Sequence, residues 1–399
     1  MTDVTNEMDV DRLRADTPGC ANVTHLNNAG AALPPASVTQ AMVDHLRREE
    51  AIGGYEAQTE AAERIEGARA SVAALVGARP DQIALVESAT HAWTRGLAAI
   101  HHTRPLTSAD RILVSSEEYA SNVLPMMQLA ASTGARLEFV PDGPDGSLDA
   151  AALRDMLDDD VAIVAINHCP SQNGLVNDVE AIGDAVRQTT AWYIVDACQS
   201  VGQMPVDATA MGADFLSATG RKFLRGPRGT GFLYASERAL ADLEPFPLDL
   251  HSATWTSEGY EVQSTARRYE YWEKSYAAIL GLGAAVDYAL ALGLEAIAER
   301  IGMLAGYARA RLADVEGVVV RDRGTMRSGI VTLTKNGVPA ADIVARLKAA
   351  GVNVSLSTPD YSRIDFDRHG VDGLVRISPH VFSTTDEIDR AVDVIASAD

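Results

Sequence analysis

Apolar runs of strand length and amphipathic stretches of helical period alternate along the first two thirds of the chain. Positions 83–86, 111–114, 137–140, 161–166, 193–195, 215–217 and 231–234 are β-branched or continuously apolar and predict strands. Runs such as VAIVAI at 161–166 have no polar alternate positions, the pattern of a strand buried on both faces of a parallel sheet. Between them, 91–101, 123–133, 148–157 and 180–188 repeat apolar residues every three or four positions and predict helices. PDGPDG at 141–146 marks a turn. The alternation predicts an α/β unit with a largely parallel sheet.

The pattern changes at Tyr269, where 269–312 reads as almost unbroken helix. The tail then offers strands at 318–320, 329–334 and 374–378 and helices at 340–350 and 385–396, a small α+β domain completed by part of the N-terminus. The expected organisation is an arm at 1–25, a large domain at 26–268, a linking helix at 269–300 and a small domain at 301–399.

Composition narrows the possibilities. Of 399 residues, 47% are hydrophobic and 22% charged, ordinary for a soluble globular protein. The net charge of -21 repels phosphate backbones and anionic lipid, which argues against nucleic-acid and membrane-surface partners. Cys20, Cys169 and Cys198 are odd in number and form no CxxC, so neither a disulfide framework nor a thiolate zinc site is expected and a reducing cytoplasm is. The acidic start MTDVTNEMDVDRLRAD has no apolar stretch, so no export signal is expected. The most apolar stretch, 277–286, is far shorter than the roughly 20 residues that span a bilayer.

Three segments carry candidate chemistry. AWYIVDACQS is a hydrophobic run ending on Asp196, with Gln199 three residues on. A carboxylate at a strand's C-terminal end points into the crevice where open α/β sheets bind ligands, although alone it reads equally well as a helix cap. TGRKFLRGPRGTGFLY places Lys222 in a loop set with Gly220, Gly226, Gly229 and Gly231. An acid ending a strand, followed by a lysine in such a loop, is what pyridoxal phosphate chemistry requires. The amine forms the Schiff base and the carboxylate keeps the pyridine nitrogen protonated. The third segment, strand then Ser88-Ala89-Thr90 then helix, suits a phosphate at the helix N-terminus, although Ser88 or Thr90 could be a plain cap.

These residues, with THLNNAGAALPP near the start and VRISPHVFSTTDEID near the end, resemble the class V aminotransferase and cysteine desulfurase family of fold-type I pyridoxal phosphate enzymes over nearly the whole chain. The resemblance implies a mostly parallel seven-stranded sheet with helices on both faces, a smaller α+β C-terminal domain, and a homodimer with its site at the subunit interface. Lys222 would then hold the cofactor, Asp196 would pair with the pyridinium and Gln199 would bond the ring's phenolic oxygen. Ser88, Ala89, Thr90 and Thr219 would hold the phosphate. Arg221 and Tyr119 stand where many members carry histidines; Arg221 would donate to the phosphate and Tyr119 would stack on the ring. Arg376 would take the substrate α-carboxylate as a two-pronged donor. Asn28 and Tyr55 would approach the substrate, and Thr256, within HSATWTSEGYEVQ, would touch the neighbouring subunit's phosphate.

Within that family, desulfurases need a nucleophilic cysteine in the C-terminal domain, and this chain has none after Cys198. RRYEYWEKSYAAILGLGAAVDYAL, GRKFLRGPRGTG and GGYEA look more like the branch of isopenicillin N epimerase-like proteins and ergothioneine- and lincosamide-pathway C–S lyases. That branch implies a C–S β-lyase acting on an S-substituted cysteine, with a decarboxylating deaminase, then an epimerase or aminotransferase, as alternatives. Other classes have weaker support: GLGAAV lies inside a helical run rather than after a strand, no G-x-S-x-G elbow occurs, and no H-E-x-x-H supports a metal.

Overall fold

The computed structural model describes residues 8–398, so the start of the arm, residues 1–7, and residue 399 lie outside the described residues. The seven expected strands form one sheet in the order Ile83–Val86, Gly231–Ala235, Phe215–Thr219, Trp192–Asp196, Val161–Asn167, Arg111–Val114, Arg136–Phe139. Gly231–Ala235 runs antiparallel to both neighbours and the other pairings are parallel. Two apolar clusters cover the sheet, one containing Val164, Val195 and Leu216, the other Ile163, Ile194 and Phe215. Adjacent residues of one strand thus fall into different clusters, which explains the strands' continuous hydrophobicity.

The continuous helix expected over 269–312 is two helices preceded by a non-helical stretch. Tyr276–Leu292 and Leu294–Ala313 meet at 82°, broken at Gly293, whose φ of 85° lies in the region that favours glycine. Apolar periodicity passes through such a bend unchanged because each helix buries a stripe of its own. No single helix among the described residues is long and apolar enough to cross a membrane.

A second, antiparallel sheet orders Val318–Val320, Val331–Lys335, Leu374–Ile377 and Ser355–Ser357. The N-terminal segment is stitched onto this part of the molecule. Thr24–His25 pairs with Val352–Asn353, and Ser378 N donates to Leu26 O at 2.8 Å while Ala29 N donates to Ser378 Oγ at 2.9 Å. These bonds lay Ala29 and Gly30 beside the strand that carries Arg376.

Candidate active site

Two cavities meet at the C-terminal ends of the central strands. One, about 140 Å3, is lined by Ser88, Ala89, Thr90, Asn122, Asp196, Cys198 and Thr219; the other, about 170 Å3, by Gly30, Ser171, Gln199, Ser355, Tyr361 and Arg376. Tyr119, Arg221 and Lys222 line both and form the partition between them.

The lysine loop is held at several points. Gly220 N donates to Thr230 O at 2.9 Å, Gly226 N to Gly220 O at 2.7 Å, Arg225 N to Lys222 O at 2.8 Å and Ala32 N to Arg221 O at 2.8 Å. The tight turn puts Arg225 at φ 64°, a left-handed conformation costly for a non-glycine residue. Its guanidinium is anchored on Leu33 O at 2.9 Å and Thr17 Oγ1 at 2.5 Å and lies over the Phe382 ring, which offsets that strain. Lys222 Nζ stands 5.9 Å from the Tyr119 ring centroid. Burial lowers the Lys222 pKa, with Arg221 and Arg376 adding to the fall and Cys198 and Asp196 opposing it.

Asp196 ends its strand, buried, and accepts from Cys198 N at 2.8 Å and Asn122 Nδ2 at 2.7 Å. The same Asn122 amide donates to Glu118 Oε1 at 2.7 Å, so two buried carboxyl groups share one amide. Burial, and then Asp196, pushes the Glu118 carboxyl well above the usual range. Asn122 and Glu118 escaped sequence reading because a polar pair at the start of a helix looks like surface. Their four-residue spacing after a strand's end was the available signal.

The helix Ala89–Thr103 starts beside this acid. Ser88 caps it, accepting from His91 N at 3.1 Å, so its oxygen takes the ordinary capping role while the first backbone N–H groups remain open toward an anion. The approach depends on Gly231: a Cβ there would lie 2.6 Å from Ala218 O and 2.9 Å from Ser88 C. Thr90 is exposed at the cavity wall. Thr219, at the end of its strand, donates its hydroxyl to Thr230 O at 3.2 Å, so in this conformation its proton faces the backbone rather than a phosphate.

The second cavity is built around Arg376. Its Nη1 donates to Ser171 O at 3.0 Å and its Nη2 to Asn27 Oδ1 at 3.5 Å, and its buried Nε has no acceptor. Burial lowers its pKa to about 10. Among the described residues no carboxylate pairs with Arg376, Arg221 or Lys222, and Arg221 Nη1 and Gln199 Oε1 are also buried without partners. Buried guanidinium groups are costly to desolvate; Arg95, Arg225 and Arg268 meet that cost with neutral oxygens away from the cavities, whereas Arg376 and the half-buried Arg221 face cavities, which fits anionic groups of a cofactor and substrate. The residues therefore fit pyridoxal phosphate: Lys222 and Asp196 for the ring, Arg221 and the helix start for the phosphate. Gln199 bonds Ala29 O at 3.1 Å through Nε2, leaving its other amide hydrogen for the ring oxygen.

Several expected residues lie elsewhere. Asn28 is fully buried but spends its amide on Ser378 O at 2.8 Å; its neighbour Asn27 is the one that reaches Arg376. Tyr55 is 70% exposed on the helix Gly54–Glu60 and lines neither cavity. Thr256, expected at the neighbouring subunit's phosphate rather than its own, sits on the hairpin Ala253–Thr256 and Gly259–Val262, outside both cavities of its own chain. Tyr361, whose ring lies parallel to Tyr119 at 6.2 Å between centroids, lines the second cavity from a short 3-10 turn that no periodicity announces.

Comparison with known proteins agrees with this geometry. A probable cysteine desulfurase of Methanothermobacter thermautotrophicus is 28% identical over 390 residues, covering 96% of each chain. A cysteine desulfurase of Dickeya dadantii is 30% identical over 398 residues, covering 96% of this chain and 95% of that one. The apo structure of a cysteine desulfurase from Thermococcus onnurineus superposes with a TM-score of 0.89 at 26% identity, covering 97% of both chains. The fold is also that of a cystine C–S lyase crystallised with cysteine persulfide, with a TM-score of 0.84 at 22% identity and coverage of 96% and 99%. The model of aminotransferase class-V matches residues 24–391, and the chain belongs to that family of pyridoxal phosphate-dependent enzymes.

Proposed function

We propose that this chain is a pyridoxal phosphate-dependent C–S β-lyase that cleaves an S-substituted cysteine to a thiol, pyruvate and ammonia. The observation that carries the reading is the content of the Arg376 cavity, which offers a guanidinium and an amine but no thiol. Of the three cysteines, Cys198 lines the cavity shared with Asp196 and none lines the Arg376 cavity, and burial followed by Asp196 pushes the Cys198 thiol up, away from the nucleophilic thiolate. A sulfur-accepting cysteine, which a persulfide-forming reaction needs, is thus missing where the substrate would sit. Relatives named cysteine desulfurase support cleavage of a cysteine C–S bond as the chemistry in common.

When bound, pyridoxal phosphate supplies an electron sink for charge developing at the substrate Cα. Asp196 holds the proton on the ring nitrogen, and Asn122 holds Asp196. Arg376 grips the α-carboxylate and so fixes which Cα bond faces the lysine. Lys222 Nζ, neutral at a lower pH than an ordinary lysine, takes the Cα proton and returns one to the departing sulfur. Water completes the balance, since one S-substituted cysteine and one water give one thiol, one pyruvate and one ammonia.

The hairpin with Trp255, 90% exposed, supports a homodimer in which Thr256 faces the neighbouring site. Incubating the holoenzyme with S-substituted cysteines tests the function: thiol and pyruvate in equal amounts are expected. Carbon dioxide with an aldehyde would mean a decarboxylating deaminase, a racemised substrate or a keto acid retaining the sulfur would mean an epimerase or aminotransferase, and, with free cysteine supplied instead, alanine with protein-bound persulfide would mean a desulfurase.

A further inference from the structure

Beside the Arg376 cavity lies a largely apolar groove of about 320 Å3, walled by Ala120, Val123, Leu124, Met127, Phe139 and Ile364, with Ser116 and the buried Glu118 at its edge. The two spaces are neighbours in the chain as well as in the fold. Tyr119 and Tyr361 line the substrate cavity, while Ala120, Pro359 and Asp360, adjacent in sequence, line the groove. The groove thus begins one residue from each of the two tyrosines, whose rings lie parallel on the substrate-cavity side. Leu124 is 62% exposed and Met127 50%, an uncovered apolar surface at the mouth of a catalytic site.

The sizes divide the work. The substrate cavity is about 170 Å3 and the groove about 320 Å3, so a bulky substituent finds more room in the groove than beside Arg376. The cation in the groove lining, Arg363, is engaged by Asp360 at 3.7 Å and Asp367 at 3.5 Å, which leaves no free positive charge for an anionic group.

We infer that the groove past Tyr119 and Tyr361 is the subsite for the group carried on the substrate sulfur, and that this group is neutral and apolar. The inference rests on the lyase reading and names its substrate class: cysteine S-conjugates with an aryl or branched alkyl substituent. Arg376 takes the amino-acid head and the groove takes the tail, so the sulfur lies near Tyr119 and Tyr361.

The test measures affinity rather than turnover, by calorimetric titration of the holoenzyme with S-methyl-L-cysteine and S-benzyl-L-cysteine. Wild type should bind the benzyl compound about tenfold or more tightly, from the extra apolar area buried. Met127→Asp should abolish that preference and leave S-methyl-L-cysteine affinity unchanged; Leu124→Glu should do the same, and Met127→Leu should keep the preference. Because both positions are half exposed or more, these variants should fold, which circular dichroism checks. Equal affinity of wild type for the two compounds, or a preference that survives both charged variants, overturns the inference. A change in oligomeric state with ligand preference intact assigns the patch to a second copy of the chain and overturns it too. Failure of the lyase reading shows separately, as benzyl preference without release of any thiol.

Discussion

Glu270, beside the edge of the seven-stranded sheet, and Arg376, on the second sheet, are both buried charges, but their surroundings differ. Glu270 accepts from Leu85 N at 2.8 Å and is met by Arg69, Lys274 and, at 3.2 Å, His251, with Glu66 completing Arg69 at 3.1 Å. Each charge there is answered, and the cluster ties the segment after the hairpin to the edge strand Ile83–Val86, whose Ile83 O also accepts from Arg69 at 2.8 Å. Arg376 and Arg221 meet no carboxylate and line cavities. An ion whose charge is answered by its own chain is architecture; a cation that meets no carboxylate and also faces a cavity marks where a ligand's charge is expected.

The largest effect that sharpens this comparison is on stability. Glu270→Ala leaves Arg69 and Lys274 buried without their common partner and should cost about 3–5 kcal/mol in denaturant unfolding. A loss below about 1 kcal/mol would mean the cluster is not structural. The counterpart in the site is electrostatic. Apoprotein should capture pyridoxal phosphate faster as pH rises and level off below the ordinary lysine pKa, because burial and the two arginines favour the neutral amine of Lys222. Arg221→Ala removes one of those positive charges and should move the rise to higher pH; a shift to lower pH would contradict the assigned cause. The smallest effect is expected at the other arginine. Arg376→Leu should change unfolding stability by less than about 1 kcal/mol, since desolvation of an unpaired guanidinium offsets the loss of its bond to Ser171 O. A loss as large as that of Glu270→Ala would erase the distinction.

The division between these regions also explains what was legible before the structure. Strands such as Val161–Asn167 and Trp192–Asp196 are apolar on both faces, so their positions, and with them the strand-end Asp196, follow from hydrophobicity alone. Lys222 was legible because glycines and a strand bracket its loop. The substrate half was harder because its residues come from the arm, a loop and a separate sheet. Asn27 and Asn28 are indistinguishable in sequence, and only the pairing of Ser378 with Leu26 decides which one faces Arg376. Tyr361 rides on a three-residue turn, Pro359–Tyr361, too short to carry a pattern. The bend at Gly293 was hidden for the opposite reason, since strong periodicity continues on both sides of it.

The central claim, that Arg376 is a cation held ready for an amino acid's carboxylate, is tested most directly by comparing one S-substituted cysteine with its carboxamide on wild type and Arg376→Ala. Wild type should favour the free acid in kcat/KM by roughly 10²-fold or more, as expected for a desolvated two-pronged ion pair of about 3 kcal/mol. In Arg376→Ala the preference should collapse to near unity while the bound cofactor's absorbance is retained. An acid preference that persists in the variant, or its absence in wild type, would contradict the account.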